Sequence, residues 1–404
     1  MAKRRANGEG SIYKRKDGLW AAEYFDNSGK RRQLYGKSQQ IVREKLKEAI
    51  KQSDSGLSMD KNKITLAQWL TEWLEVYAKP MCREGTFDIY WRQINQHIIP
   101  AFPKVLLKDF RPDMLQKFFN EKAVSGRLDG QEGGLSTKYL NHMKVVLSGA
   151  LKQAVENEII QTNITKKVKL PPVKRPNIPV LTRDEQKRLE QAALNDANLL
   201  SFAFVLDLYT GMRIGELLAL RISDIDFEKQ EIHVTKQRSR IHLHDGSEEK
   251  TKLIEREPKT AKGKRTIPLT DDIVNLLQGY LSDRAKYIKK MRYFWEKNAG
   301  QPWVDNDYLF INEKGGPTER SSIRVILIRL LDEANAKHIN LHALRHTFAT
   351  RCLENGFDIR TLADILGHAD VSETLNTYVH AMEDQKRANM EKLPLLSIGD
   401  ETEG

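Results

Sequence analysis

Phe357-Asp358-Ile359-Arg360-Thr361-Leu362-Ala363-Asp364-Ile365-Leu366-Gly367-His368 is the stretch on which the reading of the C-terminal half turns. Its apolar residues at 359, 362, 363 and 366 fall on one face of a 3.6-residue repeat. Asp358 stands where an N-cap belongs and Gly367 where a helix closes, so His368 is expected just past a helix C-terminus. Ser372 is placed to cap the next helix, with Leu375, Val379 and Met382 as its apolar stripe and Tyr378 beside it. Upstream, His342-Ala343-Leu344-Arg345-His346 gathers imidazoles around a guanidinium. Thr210-Gly211-Met212-Arg213-Ile214-Gly215-Glu216 opens another helix with an arginine in its first turn.

These residue types can serve the chemistry of a phosphodiester. A phosphodiester under attack gathers negative charge on its non-bridging oxygens, and two arginines can grip those oxygens bidentately where lysine cannot. Arg213 and Arg345 are the candidates; the plain alternative for Arg213 is an ion pair with Glu216, three residues on. His342 and His368 can donate hydrogen bonds to phosphate or move protons near neutral pH. Tyr378 supplies a long phenol able to attack phosphorus and stay attached.

In this order, Arg213, His342-x-x-Arg345, His368 and Tyr378 resemble the catalytic set of tyrosine recombinases of the lambda-integrase type. The resemblance rests on Thr-Gly-x-Arg-x-x-Glu, His-x-Leu-Arg-His, Leu-Gly-His and a tyrosine ten residues after that last histidine. It implies strand cleavage through a 3′-phosphotyrosine with a free 5′-hydroxyl, then religation, with no metal, ATP or other cofactor. It also implies that Glu216 steadies Arg213 from behind. Pro258-Lys259-Thr260-x-x-Gly-x-Arg265-x-Ile-Pro268-Leu resembles a β-hairpin of the same family, which makes Lys259 the proton donor to the leaving oxygen, with Lys262 and Lys264 close by as alternatives.

Charge points the same way. The 404 residues carry a net charge of +11, which favours a polyanionic partner. Residues 1–60 hold 14 Lys/Arg against 8 Asp/Glu, and residues 61–170 hold 17 against 11, so the excess sits in the N-terminal part. Cys82 and Cys352 are the only cysteines, too few for a disulfide framework or a thiolate metal site. The basic start, Met1-Ala2-Lys3-Arg4-Arg5, has no apolar core behind it and does not read as a secretory signal. No apolar run approaches membrane-spanning length; Leu199–Leu208 is interrupted by Ser201 and Asp207. The expected setting is the bacterial cytoplasm, in association with the nucleoid.

The expected fold class is multidomain α+β. Within residues 1–60, residues 8–36 alternate as three strands, with turns at Lys16-Asp17-Gly18 and Asp26-Asn27-Ser28-Gly29, and a charged helix follows at about 38–52. They look like a small arm-type DNA-binding domain, with Arg31 and Arg32 among its DNA contacts. Residues 64–165 show four helical patterns, broken at Pro100 and Pro103 and across Gly126–Gly134, and resemble a core-binding domain. The Trp69/Trp73 pair reads as core packing. Residues 166–179 form a basic, proline-rich linker whose Lys166, Lys167, Lys169, Lys174 and Arg175 suit a duplex backbone. Residues 180–392 would be the catalytic domain, mainly helical with a small sheet, in which Glu231–Gln237 and Thr266–Leu269 flank a polar excursion from 238 to 258. His242, His244 and Asp245 in that excursion read as a solvated loop. Residues 393–404 form a tail whose apolar cluster at 393–398 favours burial, by the resemblance against a neighbouring subunit.

The resemblance further implies double-stranded attachment sites of arm and core type, a homotetramer on DNA, and an excision factor and a DNA-bending host protein as further partners. Rival readings are a zinc face at His338, His342 and His346, a non-catalytic DNA-binding regulator on the same scaffold, and a resolving or topoisomerase-like relative. The zinc face lacks a His-Glu-x-x-His pattern and has Arg345 in its midst.

Overall fold

A computed structural model describes residues 11–25, 31–54, 63–172, 179–244, 247–258, 261–299, 303–372 and 374–375. The chain divides into two compact units, residues 1–175 with 242–250 and residues 176–241 with 251–404.

The first unit begins with an antiparallel meander of β1 (Ser11–Lys14), β2 (Trp20–Phe25) and β3 (Arg31–Gly36). Helix α1 (Gln39–Asp54) follows, and Val42, Leu46 and Ala49 on it are buried with Ala22 and Tyr24 of the sheet. Strand alternation sends Arg31, Gln33 and Tyr35 to the open face, while Arg32 and Leu34 turn to the other. Glu23, Tyr13, Arg31 and Gln33 are hydrogen-bonded together on the open side.

A helical bundle makes up the rest of this unit. Helices α2 (Leu66–Trp73), α3 (Glu84–Arg92), α4 (Pro112–Ser125) and α5 (Thr137–Glu156) surround a core that includes Leu70, Ile94, Leu115, Phe119, Met143 and Leu147. Trp69 is fully buried and donates its indole N–H to the Ala150 carbonyl at 3.0 Å, while Trp73 is buried beside it, so both tryptophans are core residues.

The break expected at Pro100 and Pro103 falls between them: the helix runs on to Ala101 and has ended before Pro103. Pro80 and Pro100 do not end their helices; each lies in a short helical continuation, Lys79–Met81 and Ile99–Ala101, directly after a π-helical turn at Leu74–Ala78 or Gln93–Ile98. A wider turn relieves the clash between the proline ring and the preceding carbonyls, and it shifts the bonding where the proline N–H is missing. Of the basic stretch after α5, Val168 is buried in this unit, and Lys169 exchanges two backbone hydrogen bonds with the Gln116 side chain. His244 is not solvated either. Its Nε2 lies 2.8 Å from Asp88 Oδ1, and its ring stacks on Trp91 with centroids 3.8 Å apart.

The second unit starts at α6 (Arg183–Asn195), where Thr182 and Glu185 form a capping box. Helix α7 (Phe202–Thr210) is buried almost all round, with Asp207 among its buried residues. The one-turn helix α8 (Ile214–Leu217) leads to a sheet in which β4 (Ile225–Asp226), β5 (Glu231–Val234) and β8 (Arg265–Pro268) lie in that order. The polar excursion is itself a hairpin, β6 (Gln237–His242) paired with β7 (Thr251–Arg256). Helices α9 (Asp271–Phe294), α10 (Arg320–Glu333), α11 (Leu341–Glu354) and α12 (Ile359–Leu366) complete the unit. Phe204, Leu206, Leu277, Phe310, Leu330 and Leu344 lie in one core, and Phe348, Leu353, Leu362 and Leu366 in a smaller one. Among the described residues no helix is long and apolar enough to cross a membrane.

Candidate active site

Two left-handed glycines build the site. Gly211 closes α7 with φ +58°, and a Cβ there would fall 2.2 Å from Phe348 Cδ1, so only glycine fits both the conformation and the space. The chain then extends through Arg213 into α8. Glu216 accepts the Arg213 backbone N–H at 2.9 Å and the guanidinium Nη1 at 2.9 Å, fixing that side chain at both ends. Gly367 closes α12 with φ +68°, and Asp358 caps its other end by accepting from Arg360 N and Thr361 N, as the sequence predicts. The Gly367 carbonyl accepts Arg213 Nη2 at 3.2 Å, and His368 N bonds back to Ala363 O at 3.0 Å.

Arg345 joins the two turns. It projects from α11, whose start is capped by Asn340, and is 1% exposed. Nη1 donates to Gly211 O at 2.9 Å, while Nη2 donates to Leu366 O and reaches His368 Nε2, both at 2.8 Å. A guanidinium only donates, so His368 Nε2 accepts and its proton resides on Nδ1, which donates to Thr374 Oγ1 at 2.6 Å. Arg345 thus holds the turns, whereas Arg213, with its side chain 35% exposed, is the guanidinium most open to a ligand.

The field here keeps the imidazoles neutral. Burial, then Arg345, Arg213 and further cations, pushes His368 down to about 3. His346 falls to about 4 through burial, His342 and Arg345. His342, whose ring meets His346 edge-on at 4.6 Å, is lowered by partial desolvation and by Arg345, Arg213 and Arg320. Neutral imidazoles surrounded by guanidiniums can take up a proton only as negative charge arrives.

Arg213, Glu216, His342, Arg345 and His368 are therefore brought together. Lys259 and Tyr378 lie outside the described residues, as do Lys174, Arg175 and the tail at 393–404. Lys166 and Lys167 are exposed in the first unit, where Arg31 is also found on the open sheet face. Helix capping after His368 differs from expectation: Val371 and Ser372 are already helical, and Asp370 Oδ1 accepts the Ser372 N–H at 2.9 Å. Leu375 is exposed rather than part of a buried stripe, and Val379 and Met382 lie outside the described residues. The three histidines of the zinc reading do not share a face. His338 precedes α11 and pairs with Asp332 at 2.7 Å, and no group of three His, Cys, Asp or Glu side chains among the described residues could hold a metal ion.

Two buried residues went unassigned in the sequence. Arg265 is 5% exposed in its side chain and bonds Glu216 Oε2 at 2.8 Å; its place three residues before Pro268 was the available signal. Asp207 is buried with neither carboxylate oxygen hydrogen-bonded, and burial raises its pKa well above the usual carboxylate range, against the pull of Arg345. An aspartate on an apolar helix gives no hint in sequence of which way it will titrate.

Residues 179–385 match the Phage integrase family, and residues 65–123 match the N-terminal SAM-like domain of phage integrases. A tyrosine recombinase XerC-like protein of Caldanaerobacter subterraneus is 26% identical over 383 residues, 92% of this chain and 94% of that one. The transposon Tn1549 integrase in complex with a circular intermediate DNA superposes with a TM-score of 0.62 at 24% identity, over 82% of this chain and all of that one. A lambda integrase tetramer bound to a Holliday junction gives a TM-score of 0.53 at 19% identity, over 92% of this chain and 96% of that one.

Proposed function

The chain belongs to the phage integrase family of tyrosine recombinases, and on that premise we propose that it recombines the attachment sites of a mobile element through a tyrosine nucleophile at Tyr378. The joining of Arg213, Arg345 and His368 around the Gly211 and Gly367 turns, with His342 near enough to feel both arginines, is the observation that carries the reading. Guanidinium N–H groups already fixed by Glu216 and by backbone carbonyls need little reorganisation when charge develops on a phosphate. In the proposed step the Tyr378 phenol gives its proton to the neutral His342 and its oxygen bonds to phosphorus. The bond from phosphorus to the 5′-oxygen breaks, and that oxygen takes a proton from the Lys259 ammonium. A 5′-hydroxyl from a partner strand reverses the step.

DNA is the substrate. The similarity to integrases solved on DNA, one of them as a tetramer, supports core-site binding by a homotetramer of this chain. Arm-type sites for residues 1–60, contacts by Lys166, Lys167, Lys169, Lys174 and Arg175, and an excision factor or DNA-bending partner belong to the same proposal. Tyr378→Phe keeps the ring and removes the nucleophile. Incubated with a nicked attachment site, this variant should bind DNA within about twofold of the parent yet give no covalent band on a denaturing gel. The parent should form that band at an unchanged rate in excess EDTA. A covalent band with Tyr378→Phe would place the nucleophile elsewhere.

A further inference from the structure

Arg265 touches three parts of the site at once. Its Nη2 bonds the buried Glu216 carboxylate, the same group that holds Arg213. Its Nε donates to the Ile365 carbonyl, one of those left open at the end of α12. Its Nη1 donates at 3.3 Å to the carbonyl of Gly263, in the turn that precedes β8. The same turn abuts the α12 terminus. A Cβ on Gly367 would lie 3.0 Å from Arg265 Cδ and 3.1 Å from the Lys262 carbonyl oxygen. Pro258 closes the turn from the other side, since a Cβ on Gly263 would lie 2.3 Å from Pro258 Cβ. Pro258 and Gly263, which lie on either side of Lys259 in sequence, are therefore packed together, and Arg265 bonds the Gly263 carbonyl of that pair.

We propose that Arg265 is a positioning residue that ties the Lys259 turn to the phosphate clamp, so that the proton donor and the Arg213–His368 turns are set by one side chain. This rests on the reading of Lys259 as the donor to the leaving 5′-oxygen. A guanidinium serves here because three acceptors lie in three directions; an ammonium has the charge for Glu216 but lacks the planar spread to hold the rest. Loss of Arg265 frees the donor's turn while Arg213 keeps its two bonds to Glu216, so protonation of the leaving group should suffer more than phosphate binding.

A leaving group that needs no proton separates the two effects. In a nicked core site whose scissile 5′-oxygen is replaced by sulfur, the phosphorus–sulfur bond breaks and a thiolate departs unprotonated. Initial rates of covalent capture are measured on the oxygen and sulfur substrates for the parent, Lys259→Ala, Arg265→Ala, Arg265→Lys and Arg213→Ala. Lys259→Ala and Arg265→Ala are expected to be slowed by about 100-fold on oxygen and to recover to within about fivefold of the parent on sulfur. Arg265→Lys should show a smaller loss with the same recovery, and Arg213→Ala should stay slow on both. If Lys259→Ala recovers on sulfur but both Arg265 variants remain equally slow on the two substrates, Arg265 acts only through the clamp or the fold and the proposal is overturned. If Lys259→Ala itself does not recover, the donor assignment fails and the inference goes with it. A parent enzyme that captures neither substrate would overturn the tyrosine mechanism itself.

Discussion

The glycine turns of the second unit and the open face of the N-terminal sheet both present arginine, and they hold it in opposite ways. Arg345 is buried, with its N–H groups directed at two backbone carbonyls and an imidazole. Arg31 lies on an exposed strand face, paired with Glu23 beside Tyr13 and Gln33. The first arrangement fixes donors before any ligand arrives, as stabilising a short-lived charge requires. The second leaves a side chain in water, where an ion pair contributes little and can be exchanged for a phosphate. In the proposed function, charge that does chemistry is locked by backbone and charge that grips is left to move.

The largest effect should follow from loosening the locked arginine. Arg345→Lys keeps the charge but cannot reach Gly211 O, Leu366 O and His368 Nε2 together. Covalent capture at a core site should fall by about 10² to 10³-fold, with binding in a gel shift changed by less than about threefold. A lysine variant that cuts at the parental rate would show that net charge, not its fixed direction, is what the turns provide.

This contrast also explains what the sequence made legible. The α12 helix, its Asp358 cap, the Gly367 stop and the placement of His368 were all readable, because caps and left-handed glycines are local rules written in adjacent residues. The convergence of Arg213 with Arg345 and His368 was readable only through the resemblance, since no local rule brings Arg213 to residues more than 130 positions later in the chain. The β6–β7 hairpin was missed because one of its inward positions is Arg238, buried in a pair with Glu255 and packed over Tyr308, so the strand showed no apolar alternation. The run of helix past Pro100 to Ala101 was not readable, because a π-helical turn that admits a proline leaves no residue signature of its own.

On the other side of the comparison, deleting residues 1–60 should remove the gripping charge and leave the locked charge intact. Binding to distal arm-type sites is expected to weaken by about tenfold or more at moderate salt, and the slope of log affinity against log salt to flatten by roughly one for each phosphate that the protein no longer neutralises. Cleavage of an isolated core site should persist within about threefold, because Arg213, His342, Arg345 and His368 all lie in the second unit. Failure of the truncated protein to cut a core-site suicide substrate would mean that the two uses of arginine are not separable.

The smallest effect on cleavage is expected beneath the locked charge, at Asp207. Its carboxyl is buried without a hydrogen bond, and its pKa lies well above the unfolded value. The folded state therefore holds a proton that the unfolded chain releases once the pH passes the ordinary carboxylate range. Stability linked to this group is complete below about pH 4 and is lost as the pH rises towards the folded pKa. Asp207→Asn resembles the protonated acid in shape but cannot titrate. It should melt close to the parent near pH 4 and increasingly above it as the pH rises, by up to about 1.4 kcal/mol for each unit until the folded group ionises. Cleavage by the variant should stay within about twofold wherever the buried carboxyl is protonated, since a neutral side chain then replaces a neutral one near Arg345. If Asp207→Asn instead melts below the parent at pH 8, the carboxylate is ionised in the folded protein and pairs with the locked arginine. The charge that the turns hold would then be smaller than the count of guanidiniums implies.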